Sequence, residues 1–134
     1  MAELSYCESA MPLSPATAVL IVDDQWMMVE VMTAILRKLR FENVDHAADG
    51  QSALTMMREK AYGLVISDLK MEPMSGLELL RAVRADEALK ATRYILTTAS
   101  LDPHTVMSAK RAGVDHYLLK PFTPKQLIEK LEAL

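Results

Sequence analysis

The sequence predicts an α/β fold: a doubly wound, five-stranded parallel sheet in the order 2-1-3-4-5, flanked by five helices. Three observations predict it. Short apolar runs at Ala18–Val22, Gly63–Ser67 and Tyr94–Thr98 are hydrophobic on both parities, as strands covered on both faces must be. Stretches of helical period, several opened by clear caps, lie between the strand signals. The alternation fits a chain of 134 residues, which suits one hydrophobic core, and βα units in this number commonly take that strand order.

The elements follow in order. Ala18–Val22 is the first strand. From Met28, the apolar residues Val31, Met32, Ile35 and Leu39 keep a helical period, with Arg37, Lys38 and Arg40 on the opposite side. Val44–Ala48 reads as the second strand. Asp49-Gly50 is a turn in which Asp49 caps a helix directing Ala53, Leu54 and Met57 inward. Gly63–Ser67 is the third strand and ends directly at Asp68. Ser75 and Glu78 have capping-box spacing and open a helix with Leu77, Leu80 and Val83 on one side. Tyr94–Thr98 is the fourth strand. Asp102 caps a helix with Pro103 at its first position, and Gly113 stops it. His116–Leu119 is the fifth strand. Thr123 and Gln126 form a second capping box, opening a last helix that carries Leu127, Ile128, Leu131 and Leu134. Of ten methionines, Met28, Met32 and Met57 fall at core-facing helix positions, while Met27 and Met74 stand near Asp24 and Asp68.

Composition narrows the function classes. The chain is 51% hydrophobic and 25% charged, an ordinary globular balance. A net charge of −3 without a long basic block gives no electrostatic support for nucleic-acid binding. Cys7 is the single cysteine, so an intrachain disulfide and a thiolate metal cluster are both excluded, which fits a reducing compartment. Residues 1–16 read as a flexible tail, or in part as an upstream start before Met11, and 17–134 as one domain. The tail lacks the basic start and the apolar run of about 7–15 residues that mark a secretory signal. No apolar run reaches the ~20 residues of a membrane span. A cytoplasmic protein without membrane insertion is expected.

In an open doubly wound sheet, functional groups gather beyond the carboxyl ends of the strands where the strand order reverses. Strands one and three are neighbours there. The residues just past them are Asp23, Asp24 and Asp68, so three carboxylates meet in one crevice. Taken singly, each aspartate reads best as a strand-end or helix-start cap. Together they would repel, and a hard divalent cation with oxygen ligands, Mg²⁺, relieves this. Thr98 ends strand four and Lys120 ends strand five, adding a hydroxyl and an ammonium. Such a set suits an anionic group such as phosphoryl. His104 and His116 have no catalytic or metal company and read as surface residues.

These pieces resemble the receiver domains of response regulators, the CheY-like kind with a flavodoxin-like fold. The resemblance rests on Leu20–Asp24, Ala48–Gly50, Leu64–Asp68, Met71–Gly76, Thr98-Ala99 and Lys120–Phe122, in matching order and spacing. It implies a signalling phosphoacceptor, not an enzyme in the ordinary sense. Asp68 would take a phosphoryl group from a sensor histidine kinase, a histidine phosphotransfer protein or a small phosphodonor. Asp24, Asp68 and the backbone carbonyl of Lys70 would hold Mg²⁺, with Asp23 ligating through water. Thr98 corresponds to the switch hydroxyl, Lys120 to the lysine that pairs with Asp68, and Tyr117 to the switch aromatic. The Lys120–Pro121 bond is a candidate cis peptide. The face of the fourth helix, fifth strand and fifth helix would meet an unknown downstream target, with Met107, Lys110, Tyr117 and Lys130 as candidate contacts.

Two departures matter. Glu72 stands where such receivers often carry proline, and Pro73 follows, so the loop after Asp68 is expected to be reshaped at unaltered length. The Lys70 ammonium either pairs with Glu72 or the phosphoryl group, or is simply solvated. Lys70 and Ser100 are expected to set the lifetime of the phosphorylated state. Two competing readings are weaker. A Mg²⁺-dependent phosphohydrolase of the haloacid-dehalogenase type needs a second aspartate where Lys70 stands. A pseudo-receiver, which binds without phosphorylation, usually lacks one of the acidic residues, the hydroxyl or the lysine, and all are present. The expectation is a stand-alone receiver, either a diffusible output or an intermediate or sink in a phosphorelay.

Overall fold

The computed structural model describes residues 13–100 and 102–134. Its elements are β1 (Ala18–Val22), α1 (Trp26–Lys38), β2 (Asn43–Ala47), α2 (Gly50–Glu59), β3 (Leu64–Asp68), α3 (Gly76–Ala85), β4 (Arg93–Thr98), α4 (Pro103–Ala112), β5 (His116–Leu119) and α5 (Pro124–Glu132). All strand pairs are parallel, and the order is β2-β1-β3-β4-β5, as predicted.

The strands without inside–outside alternation are those at the centre. Val19–Val22 and Leu64–Asp68 are buried throughout because helices cover both faces. Leu20, Val22, Val65, Tyr94 and Leu96 face one core, shared with Leu54, Leu79, Leu80 and Val83. Val19, Ile21, Leu64, Ile66 and Ile95 face the other, shared with Met32, Leu36, Leu127 and Leu131.

The cap chemistry forms as the sequence requires. Asp49 accepts the Ser52 amide at 2.8 Å, and Asp102 accepts the Thr105 amide at 3.0 Å. Both capping boxes are closed in both directions, Ser75 with Glu78 and Thr123 with Gln126. Gly113 ends α4 in the left-handed region at φ 94°, where a side chain would be strained.

Three details differ from the sequence reading. Helix α1 starts at Trp26 and buries Val29 and Leu36 beside Met32 and Ile35, which leaves Val31 49% exposed. Its N-cap, Gln25, makes no side-chain cap bond, so the sequence holds no start signal to fix the phase. In α3, Leu79 is fully buried while Leu77 packs at the edge of the core. Residues 1–12, with Cys7, lie outside the described residues. Leu13 packs against the α1/α5 core and the Pro15 carbonyl accepts the Glu42 amide, so the end of the segment read as a tail is seated on the domain.

Among the glycines, Gly76 has the closest neighbour to a built Cβ. A Cβ built there would collide with the Asp68 carbonyl and lie 2.9 Å from both Leu96 Cδ2 and Ser67 Oγ. Gly76→Ala is expected to cost about 1–3 kcal/mol, read as a lowered urea midpoint at unchanged slope. An unchanged midpoint would show that α3 can shift without penalty.

Candidate functional site

Parallel pairing of β1 with β3 sets Val22 beside Ser67, so both chains leave the sheet at the same level. The next residues carry the acidic groups. Oxygens of Asp23, Asp24 and Asp68 all lie within 4.8 Å of one another. Asp23 and Asp68 are buried, and Asp24 is exposed at the mouth. The Lys120 ammonium reaches in from the end of β5, 3.1 Å from Asp68 Oδ1 and 3.4 Å from Asp23 Oδ2. The other Asp23 oxygen accepts the Gln25 amide at 2.8 Å. The Lys120 amide in turn donates to the Thr98 carbonyl at 2.7 Å, which ties β5 to the end of β4.

Burial pushes the Asp68 carboxyl above the usual carboxylate range, Lys120 pulls it back, and Asp23 and Asp24 push it up again. Three carboxylates against one ammonium leave an uncompensated negative charge. The donor set is all oxygen and opens to solvent at Asp24. That is the chemistry of a Mg²⁺ site, and the residues present fit the ion.

The remaining predicted residues divide. Thr98 is buried at the end of β4, but its hydroxyl is turned into its own loop. It donates to the Ser100 carbonyl at 3.0 Å and accepts the Ser100 amide at 3.2 Å. Ser100 is exposed, as is Lys70 on the loop after Asp68. Tyr117 is half-buried and lines a small apolar recess with Leu96, Thr98, Val106 and Ala109. Glu72–Pro73 and Lys120–Pro121 are both cis. His104 is exposed, and the His116 ring lies 3.4 Å from the Ala133 carbonyl. Met27 is exposed, and Met74 packs against Gly50.

Sequence reasoning missed three residues. Trp26 follows Asp24 by two positions and stands edge-on to His46 at 5.3 Å, largely exposed. Ser67 and Tyr94 place buried hydroxyls beneath the Asp68 loop. For Ser67 and Tyr94 the available signal was a hydroxyl inside an otherwise apolar run.

The sequence profile of the response regulator receiver domain family matches residues 19–132. The chain belongs to this family. Over 116 residues the receiver is 40% identical to the chemotaxis protein CheY of Pseudomonas aeruginosa, covering 87% of this chain and 94% of that one. It is 39% identical over a stretch of the same length to CheY-3 of Vibrio cholerae, with 87% and 89% covered. Among solved structures, Vibrio cholerae CheY4 superposes with a TM-score of 0.82 at 31% identity, covering 87% of this receiver and 97% of that chain. The receiver domain of the sensor histidine kinase PA1611 from Pseudomonas aeruginosa superposes at 0.79 with 27% identity, covering 87% and 95%, and holds a magnesium ion in its active-site cleft. Among the described residues, no helix of the receiver is long and apolar enough to cross a membrane.

The raised Asp68 pKa fixes a sign. The contribution of this group to stability is greatest below its unfolded pKa and is lost as pH rises through the folded value. Asp68→Asn is therefore expected to melt a few degrees higher than wild type at neutral pH in metal-free buffer. The advantage should shrink as pH falls toward about 4. Thermal melts across that range check it, and equal melting temperatures at neutral pH would contradict it.

Proposed function

We propose that this receiver is a phosphorylation switch of two-component signalling, in which Asp68 accepts a phosphoryl group. The observation that carries the reading is the Lys120 ammonium held between the buried carboxylates of Asp68 and Asp23 at adjacent strand ends. The donor is a phosphohistidine on a sensor histidine kinase or a histidine phosphotransfer protein. An Asp68 oxygen attacks phosphorus in line, a P–O bond forms, and the P–N bond breaks with its electron pair returning to the imidazole. Lys120 keeps its place and passes from the free carboxylate to a phosphoryl oxygen, as a charge-assisted partner. Asp24, Asp68 and the Lys70 carbonyl would hold Mg²⁺, with Asp23 acting through water. When bound, the ion neutralises charge on the phosphoryl oxygens.

The switch begins at Thr98. Its two hydrogen bonds to Ser100 are neutral ones, worth about 0.5–1.5 kcal/mol each, while one bond to a charged phosphoryl oxygen is worth about 1.5–3 kcal/mol. The two arrangements are close in energy, so the phosphoryl group can tip the balance. The vacated loop gives the Tyr117 ring room to turn into the recess beside Val106 and Ala109. That reshapes the α4–β5–α5 face, where Met107 and Leu119 are exposed beside Lys110 and Lys130, for a downstream protein target. In this reading residues 17–134 act as one domain in the cytoplasm, without direct contact with nucleic acid or membrane.

Acetyl phosphate with Mg²⁺ is expected to add one phosphoryl group to the wild type and none to Asp68→Asn, read by intact mass. No adduct on the wild type, or an equal adduct on the variant, would sink the proposal. In this reading Lys70 and Ser100 set the lifetime of the adduct, so exchanging both for alanine should change the dephosphorylation rate several-fold. An unchanged decay of the adduct would remove them as lifetime determinants.

A further inference from the structure

Beneath the loop that follows Asp68 lies a cluster of buried hydroxyls that the switch chemistry does not use. Tyr94 is fully buried in β4, and its hydroxyl donates to the carbonyl of Gly76, the first residue of α3, at 2.9 Å. The Ser67 hydroxyl donates to the Asp68 carbonyl at 2.9 Å. The Gly76 amide donates to the Leu69 carbonyl at 2.9 Å, and the Leu69 amide to the Thr97 carbonyl at 2.9 Å. Residues 69–75 thus leave the sheet and return to it within one peptide of the departure point. Gly76 can come that close only because it has no side chain to meet Asp68 and Ser67.

The Tyr94 hydroxyl is not needed to fill space. Phenylalanine would occupy the same core volume without a polar group to satisfy. A buried hydroxyl costs about 1–3 kcal/mol unless it is bonded. Burial also pushes the Tyr94 phenol well above its ordinary range, so it remains a donor at neutral pH. Its partner, Gly76, is the helix start that closes the Asp68 loop.

A carboxylate can follow a metal ion by rotating its side chain. A backbone carbonyl cannot: its place is set by the two ends of its loop. Mg²⁺ demands near-ideal octahedral geometry at about 2.0–2.1 Å, whereas Ca²⁺ accepts irregular shells at about 2.3–2.6 Å.

We propose that Tyr94 is a positioning residue for the metal site: its hydroxyl ties the start of α3 to β4, while that of Ser67 holds the Asp68 carbonyl at the end of β3, and the two together fix both ends of the loop that presents the Lys70 carbonyl. The inference rests on the receiver reading with Mg²⁺ at Asp24 and Asp68. It assigns the hydroxyl pair a role in metal geometry beyond core packing.

The test titrates the full chain with Mg²⁺ and separately with Ca²⁺, reading Trp26 fluorescence, since this single tryptophan lies two residues from Asp24. Tyr94→Phe and Ser67→Ala are each expected to weaken Mg²⁺ binding by about tenfold and Ca²⁺ binding much less, so that Mg²⁺ selectivity falls. The double variant should lose less than the product of the two single losses, because both hydroxyls act on one loop. Amide exchange at Gly76 should quicken in Tyr94→Phe. Unchanged Mg²⁺ affinity in a folded Tyr94→Phe would overturn the inference while leaving the receiver reading intact, and so would equal losses for Mg²⁺ and Ca²⁺. Absence of Mg²⁺ binding by the wild type would overturn the metal assignment and this inference with it.

Discussion

Asp23 and Asp68 are held side by side, largely out of water, because β1 and β3 are neighbours whose ends are level. At their separation and an effective dielectric of about 20, such a pair repels by on the order of 3 kcal/mol. The Lys120 ammonium, 3.1 Å from one and 3.4 Å from the other, attracts each by on the order of 5 kcal/mol on the same scale. The lysine therefore outweighs the repulsion between the buried pair, but it leaves Asp24 uncompensated. Desolvation still holds the Asp68 carboxyl above its usual range, so the site forms at a cost to the fold and remains short of positive charge. In the proposed function that deficit makes a cation and an anionic phosphoryl group mutually favourable guests: the first would supply charge that the second then shares.

The remainder of the fold serves to keep these groups in place. Lys120 reaches the crevice because its amide is tied to the Thr98 carbonyl at the end of β4. Asp23 is oriented by the Gln25 amide, which takes the oxygen that Lys120 does not. Burial of β3 on both faces removes the strand's freedom to slide, since a slip of one residue would carry Asp68 to the opposite face of the sheet. In the proposed function, packing and chemistry thus press on the same residues.

Much of this was legible in the sequence because the signals were local. The three central strands needed only continuous apolar runs, and α3, α4 and α5 announced themselves through Ser75–Glu78, Asp102-Pro103 and Thr123–Gln126. The gathering of Asp23, Asp24, Asp68, Thr98 and Lys120 at strand ends followed from topology alone. What escaped was non-local or unmarked. Helix α1 has no side-chain cap at its start, and past its C-cap Leu39 the chain turns at Arg40, a left-handed residue at φ 79° with no glycine to announce it, so its phase could not be fixed. Tyr94 reads as an apolar strand residue until its hydroxyl is seen to meet a helix eighteen residues upstream. The double bond of Thr98 to Ser100 is a rotamer, which no residue pattern encodes.

The anchoring around the site is uneven, and the unevenness runs in a useful direction. On the β3–α3 side, the Tyr94 hydroxyl ties the start of α3 to the sheet, the Ser67 hydroxyl holds the Asp68 carbonyl, and a closed capping box fixes the first turn of the helix. On the β4–α4 side, the hydroxyl of Thr98 is engaged only by its own loop, and α4 buries a single residue, Ala109, where α1 and α3 bury four each. In the proposed switch, phosphoryl transfer needs fixed oxygens and signalling needs a movable helix. Apolar burial costs about 25 cal/mol per Å² to undo. An element that buries little can therefore shift for the few kcal/mol that one phosphoryl contact supplies, while the rigid side holds the acceptor still.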